Sequence, residues 1–219
     1  MNGSYMNEGR DKNYIGIDLD GTLLDVRKRF YSIYSSYHLP LNETILTEKE
    51  YWNCKRLGYS ERKITTLCHT KTDEKKYINY WFTQIERMEY LSLDTLKHRA
   101  KEVLHHLTQK HHLLLVTMRK NKENVIRELE NLNINHFFNK IISPTTQKTK
   151  AELLTLPPNR KLSAKISAII GDTEEDIKTA KVIGVKSIAV CDGQRNYVFL
   201  NRFSPDVIVL KLEEVIPYV

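Results

Sequence analysis

No apolar run in this 219-residue chain approaches the roughly 20 residues that a helix needs to cross a bilayer. The opening residues, 1–12, are polar and lack the apolar stretch of a secretory signal, so a flexible tail and cytoplasmic residence are expected. The three cysteines, Cys54, Cys68 and Cys191, form no CxxC pair, and their odd number argues against a disulfide framework; free, mostly buried thiols are expected. Internal repeats, low-complexity segments and zinc-finger spacings are missing. His105-His106 and His111-His112 have no carboxylate or Cys at a zinc spacing, and read as a solvated helix terminus. Basic blocks are missing too. The net charge is +7, but the cations are scattered among acids and no aromatic–basic RNA-binding signature accompanies them. Nucleic acid is therefore not the expected partner, while the positive balance suits small anionic ligands. Hydrophobic content of 41% and charged content of 28% are those of a globular protein long enough for one substantial core and a smaller insertion.

Against that background the segment Ile15-Gly16-Ile17-Asp18-Leu19-Asp20-Gly21-Thr22 stands out. An apolar run ends in two carboxylates two residues apart, and strand alternation points both to one side. Neighbouring buried like charges are costly unless a cation or a shared proton offsets them. The pattern points to a hard metal ion, to a nucleophile beside a general acid, or to both. A polar turn at a strand end is the plain alternative.

The remaining sequence alternates helix and strand. A strand is predicted at 14–19, followed by a long helical stretch at 26–88 in which Phe30, Ile33, Tyr34 and Tyr37, then Tyr77, Tyr80, Trp81, Ile85 and Met88, recur at helical spacing. Those aromatics read as core. Thr47 with Glu50 reads as a capping box that starts a helix near Glu48. A helix over 93–110 and a strand over 113–117 follow. Helices at 121–132, 149–156 and 173–183 then alternate with strands at 140–142, 165–170, 185–190 and 207–209. The fold class is α/β: a Rossmann-like, mostly parallel sheet with helices on both faces.

Three of these segments together resemble the haloacid dehalogenase superfamily. Asp18-x-Asp20-Gly-Thr22 matches its first motif, Leu113-Leu114-Leu115-Val116-Thr117 its second, and Gly171-Asp172-x-x-x-Asp176 its fourth; the likeness runs from about Asn13 to the C-terminus. The nearest subgroup is the phosphoglycolate-phosphatase-like set. That resemblance implies an inserted all-helical type 1 cap over 26–92, with a core of 13–25 and 93–219. It implies a Mg²⁺-dependent phosphatase acting on a small phosphorylated metabolite through an aspartyl-phosphate. Asp18 would be the nucleophile. Asp20, neutral in the first step, would be the acid and then the base. The metal ligands would be the Asp18 carboxylate, the Asp20 carbonyl and Asp172, with Asp176 acting through water or by orienting Asp172.

The Thr117 hydroxyl and the Met118 N–H would bind the phosphoryl group. The family's lone lysine falls to Lys150, which opens a helix, or to Lys148; Lys140 is a distant third. The commoner Lys-Pro pattern is not present. Arg119 reads either as an anion-binding group at the site mouth or as a surface residue, and Asp25 as a hinge. Glu174 and Glu175 suit the positive end of a helix dipole. A phosphomutase, a phosphonatase, a polynucleotide 3′-phosphatase and a non-catalytic binding module are the alternatives. A monomer or homodimer is expected, with no membrane partner.

Overall fold

The run Leu113-Leu114-Leu115-Val116 leaves no polar face, the pattern of a strand covered on both sides. The computed structural model describes residues 12–69, 72–146 and 148–219; apart from Lys12, the tail expected over 1–12 lies outside them. In chain order the elements are β1 (Tyr14–Ile17), β2 (Leu24–Asp25), α1 (Arg27–His38), α2 (Glu48–Arg56), α3 (Glu61–Cys68), α4 (Glu74–Gln84), α5 (Met88–Leu91), β3 (Thr95–Leu96) and α6 (Ala100–Lys110). Then come β4 (His112–Val116), α7 (Lys122–Asn131), β5 (Phe138–Ile142), α8 (Lys150–Thr155), α9 (Arg160–Ser163), β6 (Ile166–Gly171), α10 (Glu174–Ile183), β7 (Lys186–Val190), α11 (Tyr197–Asn201) and β8 (Val207–Val209).

Six strands form one parallel sheet in the order β5-β4-β1-β6-β7-β8. Alternation along β4 sends Leu113 and Leu115 into one core and Leu114 and Val116 into the other, so each face has its own apolar layer. The chain builds outward from β1 to β4 and β5, then crosses to β6, β7 and β8 on the other side. Such a reversal opens a crevice at the carboxyl ends of the central strands. Ile17 pairs with Leu115 on one side and Ile170 on the other, which brings the residues after all three strands to that crevice.

The first strand stops at Ile17 rather than at 19, because the chain turns through the carboxylate segment. The helix predicted over 93–110 begins only at Ala100. Its expected first turn is occupied by a two-residue antiparallel pairing, Leu24 with Leu96 and Asp25 with Thr95, reinforced by Lys97 N–H donating to the Leu23 carbonyl at 2.9 Å. Helices α1 to α5 therefore leave the core at Asp25 and return at Thr95. Thr47 and Glu50 do form the capping box at the start of α2. The thiols are less buried than expected: Cys191 is buried, Cys54 half-buried and Cys68 exposed.

Aromatic residues at helical spacing fill the interior of the helical segment, with Phe30, Tyr34, Tyr51, Trp52, Tyr77 and Trp81 all buried. Among them sits a carboxylate. Glu61 accepts hydrogen bonds from Tyr51 and Tyr77, each at 2.7 Å, and pairs with the Lys55 ammonium at 2.7 Å. Removing one partner from a buried pair strands the other charge. Lys55→Met should therefore lower stability by about 3 kcal/mol, read as a lower urea midpoint at unchanged slope.

Candidate active site at the strand ends

Asp18 follows β1, and its N–H donates to the Ile170 carbonyl at 2.9 Å, so the neighbouring strand fixes its position. Gly21 turns the chain at φ +87°, where a side chain would be strained and a Cβ would also strike the Asp172 carboxylate. The tight turn lets Thr22 reach back. Its hydroxyl lies 3.0 Å from Asp172 Oδ1 and 3.3 Å from Asp18 Oδ2. Asp172 follows β6 and also accepts the Gln194 N–H at 2.6 Å. Asp176, on the first turn of α10, accepts from the Thr173 N–H and hydroxyl through Oδ2. The three carboxylates Asp18, Asp172 and Asp176 bring one oxygen each within 4.8 Å of one another.

A single ammonium enters this group. Lys150 is buried, and its Nζ stands 2.5 Å from both Asp18 Oδ1 and Asp176 Oδ1. It is the first residue of α8, held there by the Thr149–Glu152 capping box and by its own N–H donating to Glu175 at 3.1 Å. Lys148 lies elsewhere, on a groove shared with Lys120, Lys122 and Lys140. Burial and the neighbouring acids push Asp18 well above the usual carboxylate range, against the pull of Lys150. Burial and Asp176 push Asp172 up to about 6, against the pull of Lys97. Lys150 is raised despite its burial, because Asp176 and Asp18 face it. The group holds one positive charge against three carboxylates.

Asp20 belongs to a second, separate charge cluster. Arg119 donates to it from Nε at 2.9 Å and from Nη2, and Arg29 of α1 lies 2.8 Å from its Oδ1. The same arginines contact Asp94, at 3.0 Å from Arg119 and 3.3 Å from Arg29, and Arg119 also pairs with Glu128 of α7. The Arg29 contacts are ion pairs rather than well-aligned hydrogen bonds. Although burial alone would raise it, the two guanidinium groups hold Asp20 far below the usual carboxylate range. The resemblance implies a neutral Asp20 in the first reaction step; in this arrangement the paired arginines favour its ionised form. Burial instead pushes Asp94 up to about 8, against its arginine partners. Arg119 is neither a surface residue nor a free anion-binding group, since three carboxylates occupy it.

Thr117 and Met118 sit at the end of β4 and line a cleft of about 300 Å³ together with Asp18, Asp20 and Lys150. Thr117 is buried and accepts the Arg119 N–H at 3.3 Å, and Met118 is 38% exposed at the mouth. Phe30, Trp81, Phe82 and Glu86 roof the cleft from the helical segment. Glu86 fastens that roof, accepting the N–H groups of Lys120 at 2.8 Å and Asn121 at 2.6 Å. On the other side Arg56 donates to the carbonyls of Cys191 at 2.9 Å and Gly193 at 3.1 Å. A larger hollow of about 740 Å³ lies beside β2 and β3 and is lined by none of the site carboxylates.

Of the residues given catalytic, phosphate-binding or metal-holding roles from the sequence, Asp18, Asp20, Thr117, Met118, Lys150, Asp172 and Asp176 lie together here, and Lys148 does not. Thr22, Arg29, Asp94, Glu128 and Gln194 were missed. Thr22 stood inside the first motif; the others carry no spacing signal. Gln194 Nε2 donates at 3.0 Å to the Asp20 carbonyl, the oxygen that the resemblance offered to a metal.

The model of one protein family, described as haloacid dehalogenase-like hydrolase, matches residues 15–190. No curated protein sequence matches the chain. Solved structures with similar folds include a haloacid dehalogenase-like family hydrolase from Streptococcus pneumoniae, 22% identical, covering 94% of this chain and 98% of that one, with TM-score 0.79. Another is a predicted phosphoglycolate phosphatase from Haemophilus somnus 129pt, 20% identical, covering 96% and 99%, with TM-score 0.71. A third, described provisionally as HAD-hydrolase YfnB from Bacillus subtilis and bound to magnesium, is 18% identical, covers 95% and 99%, and has TM-score 0.63.

The Asp94 carboxyl gives a pH signature. Folding raises its pKa from an ordinary value near 4 to about 8, so in that window the folded chain binds a proton that the unfolded chain has released. The contribution of Asp94 to stability therefore falls as pH rises from about 4 to about 8. Asp94→Asn, which copies the protonated form, should flatten that slope, gaining on the order of a few kcal/mol over the native chain by pH 8. Chemical denaturation of both proteins across the window checks it.

Proposed function

Because the chain belongs to the haloacid dehalogenase-like hydrolases, we propose that it is a Mg²⁺-dependent phosphatase for a small organic phosphate monoester. One observation carries this reading: Asp18, Asp172 and Asp176 converge with a single lysine at the floor of one cleft. Two uncompensated negative charges match a dication, and an all-oxygen donor set suits a small hard ion. Asp18, Asp172 and the Asp20 carbonyl are its proposed holders, with Asp176 acting through Lys150 and Thr173. When bound, the ion screens Asp18 from the incoming phosphate dianion.

The side chains supply the remaining steps. A carboxylate oxygen of Asp18 attacks phosphorus and the bond to the leaving oxygen breaks, which leaves an aspartyl-phosphate. Lys150 and the Thr117 hydroxyl neutralise and orient the transferring group. Asp20 is already in the form required of the base that takes a proton from the attacking water. To act first as the acid it must take up a proton, which requires its arginine contacts to loosen when substrate arrives. Helices α1 to α5 serve as the cap, and Phe30, Trp81 and Phe82 exclude water while the acyl phosphate survives. The cleft volume suits a small metabolite better than a polynucleotide end. The phosphonatase alternative calls for a free cap lysine, whereas Lys55 at the back of the Phe30–Trp81 wall is tied to Glu61. A cytoplasmic setting fits a metabolite substrate and three unbridged thiols.

Phosphate release from a panel of monoesters, with Mg²⁺ and with chelator, tests the reading directly. Turnover should require the ion, and Asp18→Asn should abolish it in a folded chain. Lys150→Ala should lower kcat by about 10²–10³, with Lys148→Ala close to native; equal losses would remove Lys150 from the role. Arg119→Met should release the Asp20 carboxyl upward and move the acidic limb of the kcat/KM profile to higher pH. An unmoved limb would show that Asp20 does not set it.

A further inference from the structure

A groove beside the cleft gathers positive charge that the chemistry above does not use. It holds about 300 Å³ and is lined by Lys120, Lys122, Lys140 and Lys148, with Glu152 the one acid among its described lining. Two loops build it, and each also supplies the cleft. The segment after β4 runs from Thr117 through Met118 to Lys120, and Lys120 lines both hollows. The segment after β5 brings Lys148 two residues ahead of Lys150. Chain reach keeps Lys148 within about 7 Å of Lys150 and Lys120 within about 11 Å of Thr117, Cα to Cα. The loops are joined at their roots, where the Thr117 N–H donates to the Ile142 carbonyl at 3.0 Å. The groove is thus a side extension of the cleft.

Its charge is not answered by the protein. Glu152 is occupied, its Oε2 accepting the Thr149 N–H at 2.7 Å and the Thr149 hydroxyl at 3.0 Å. Lys140 donates to the neutral Asn159 side chain at 2.8 Å, which leaves its charge unpaired. Among the described residues Lys120, Lys122 and Lys148 form no ion pair, whereas the exposed Arg62, Lys76, Arg87 and Arg99 each face a carboxylate. Lys122 is also the first residue of α7, where a cation works against the helix dipole. Like charges gathered in this way repel, so the arrangement does not serve the fold. The wall behind them is apolar, with Ile142 and Leu153 buried and Leu156 partly exposed. Apolar walls focus the field of the lysines into the groove, a lining that suits an anionic group carried on an organic stem. Glu86, the acid on the cleft side of Lys120, is held by the N–H groups of Lys120 and Asn121.

We propose that the groove binds a second phosphate of the substrate. The molecule turned over is then a small bisphosphate, with its scissile group at Asp18 and its other group among Lys120, Lys122 and Lys148. The phosphatase reading is the premise for the first group, while the groove is tested by binding alone.

The test is equilibrium binding of alkyl monophosphates and alkanediol bisphosphates, in a series of spacer lengths, to the folded Asp18→Asn chain in Mg²⁺ and low salt. At the best spacer the bisphosphate should bind about tenfold tighter than the matching monophosphate, the sum of two or three partly exposed charge pairs. Added salt should shrink that gain. Lys122→Gln combined with Lys148→Gln, which keeps most of each stem, should abolish it and leave monophosphate affinity unchanged. Lys101→Gln on α6, the same kind of charge loss outside the groove, should preserve it. Phosphate release by the native chain separates the two readings. A bisphosphate advantage in binding without any release would end the phosphatase reading and leave the groove as an anion site. Release with no binding advantage at any spacer would overturn the groove and leave the phosphatase standing. A gain that survives the double substitution, or a phosphorylated oligonucleotide end held more tightly than every bisphosphate through the same lysines, would also overturn the proposal.

Discussion

Among the described residues six buried or half-buried carboxylates meet beneath one cleft, and the cations that pair with them are Lys150, Arg29 and Arg119. This imbalance is the constraint on which the site depends. The structure divides it into two groups with different remedies. Asp18 and Asp176 pair with Lys150, while Asp172 has no ion pair and only the more distant pull of Lys97, an excess that a dication would cancel. Asp20, Asp94 and Glu128 face Arg29 and Arg119, an excess of one, which a proton on Asp94 removes. Neighbouring acids thus come to differ by several pKa units, the separation that acid/base chemistry at neutral pH requires.

The fold serves this concentration of charge. Adjacent parallel strands bring the residues that follow them to one crevice, and the crossovers on either side of β1 keep the sheet's own helices from filling it. Glycines then admit the carboxylates. A Cβ at Gly21 or Gly193 would collide with Asp172, and one at Gly171 with Asp176. The helical segment closes the remaining side through Glu86 and Arg56, which grip backbone groups of the loops around the cleft.

The sequence carried the sheet and the first charge group well, because apolar runs that end in acids are local signals. Asp18, Asp172 and Asp176 each stand just after a strand or on the first turn of the next helix, and periodicity finds those places. The choice between Lys148 and Lys150 also had a local marker, the Thr149-x-x-Glu152 capping box that starts α8 at Lys150. The second charge group had none. Arg29 lies on an amphipathic helix, Asp94 in a turn and Glu128 on the inner face of α7, and only tertiary folding brings them together. Asp20 was legible as a residue but not as a charge, since its protonation depends on arginines 9 and 99 positions away. The β2–β3 pairing is two residues long, too short to show a period, and it displaced the start of α6.

Arg29 has a consequence for how freely this chain can be recombined. It lies four residues beyond the exit point at Asp25, yet it balances Asp20 and Asp94, on the near and far sides of the excursion. The helical segment is therefore not an interchangeable module. A chimera that replaced it between Asp25 and Asp94 with a segment lacking this arginine would leave three acids sharing one guanidinium. Such a graft would have to carry its own arginine at the same turn of its first helix, or bring a neutral residue in place of Asp94, so diversification of the roof is coupled to the electrostatics of the floor.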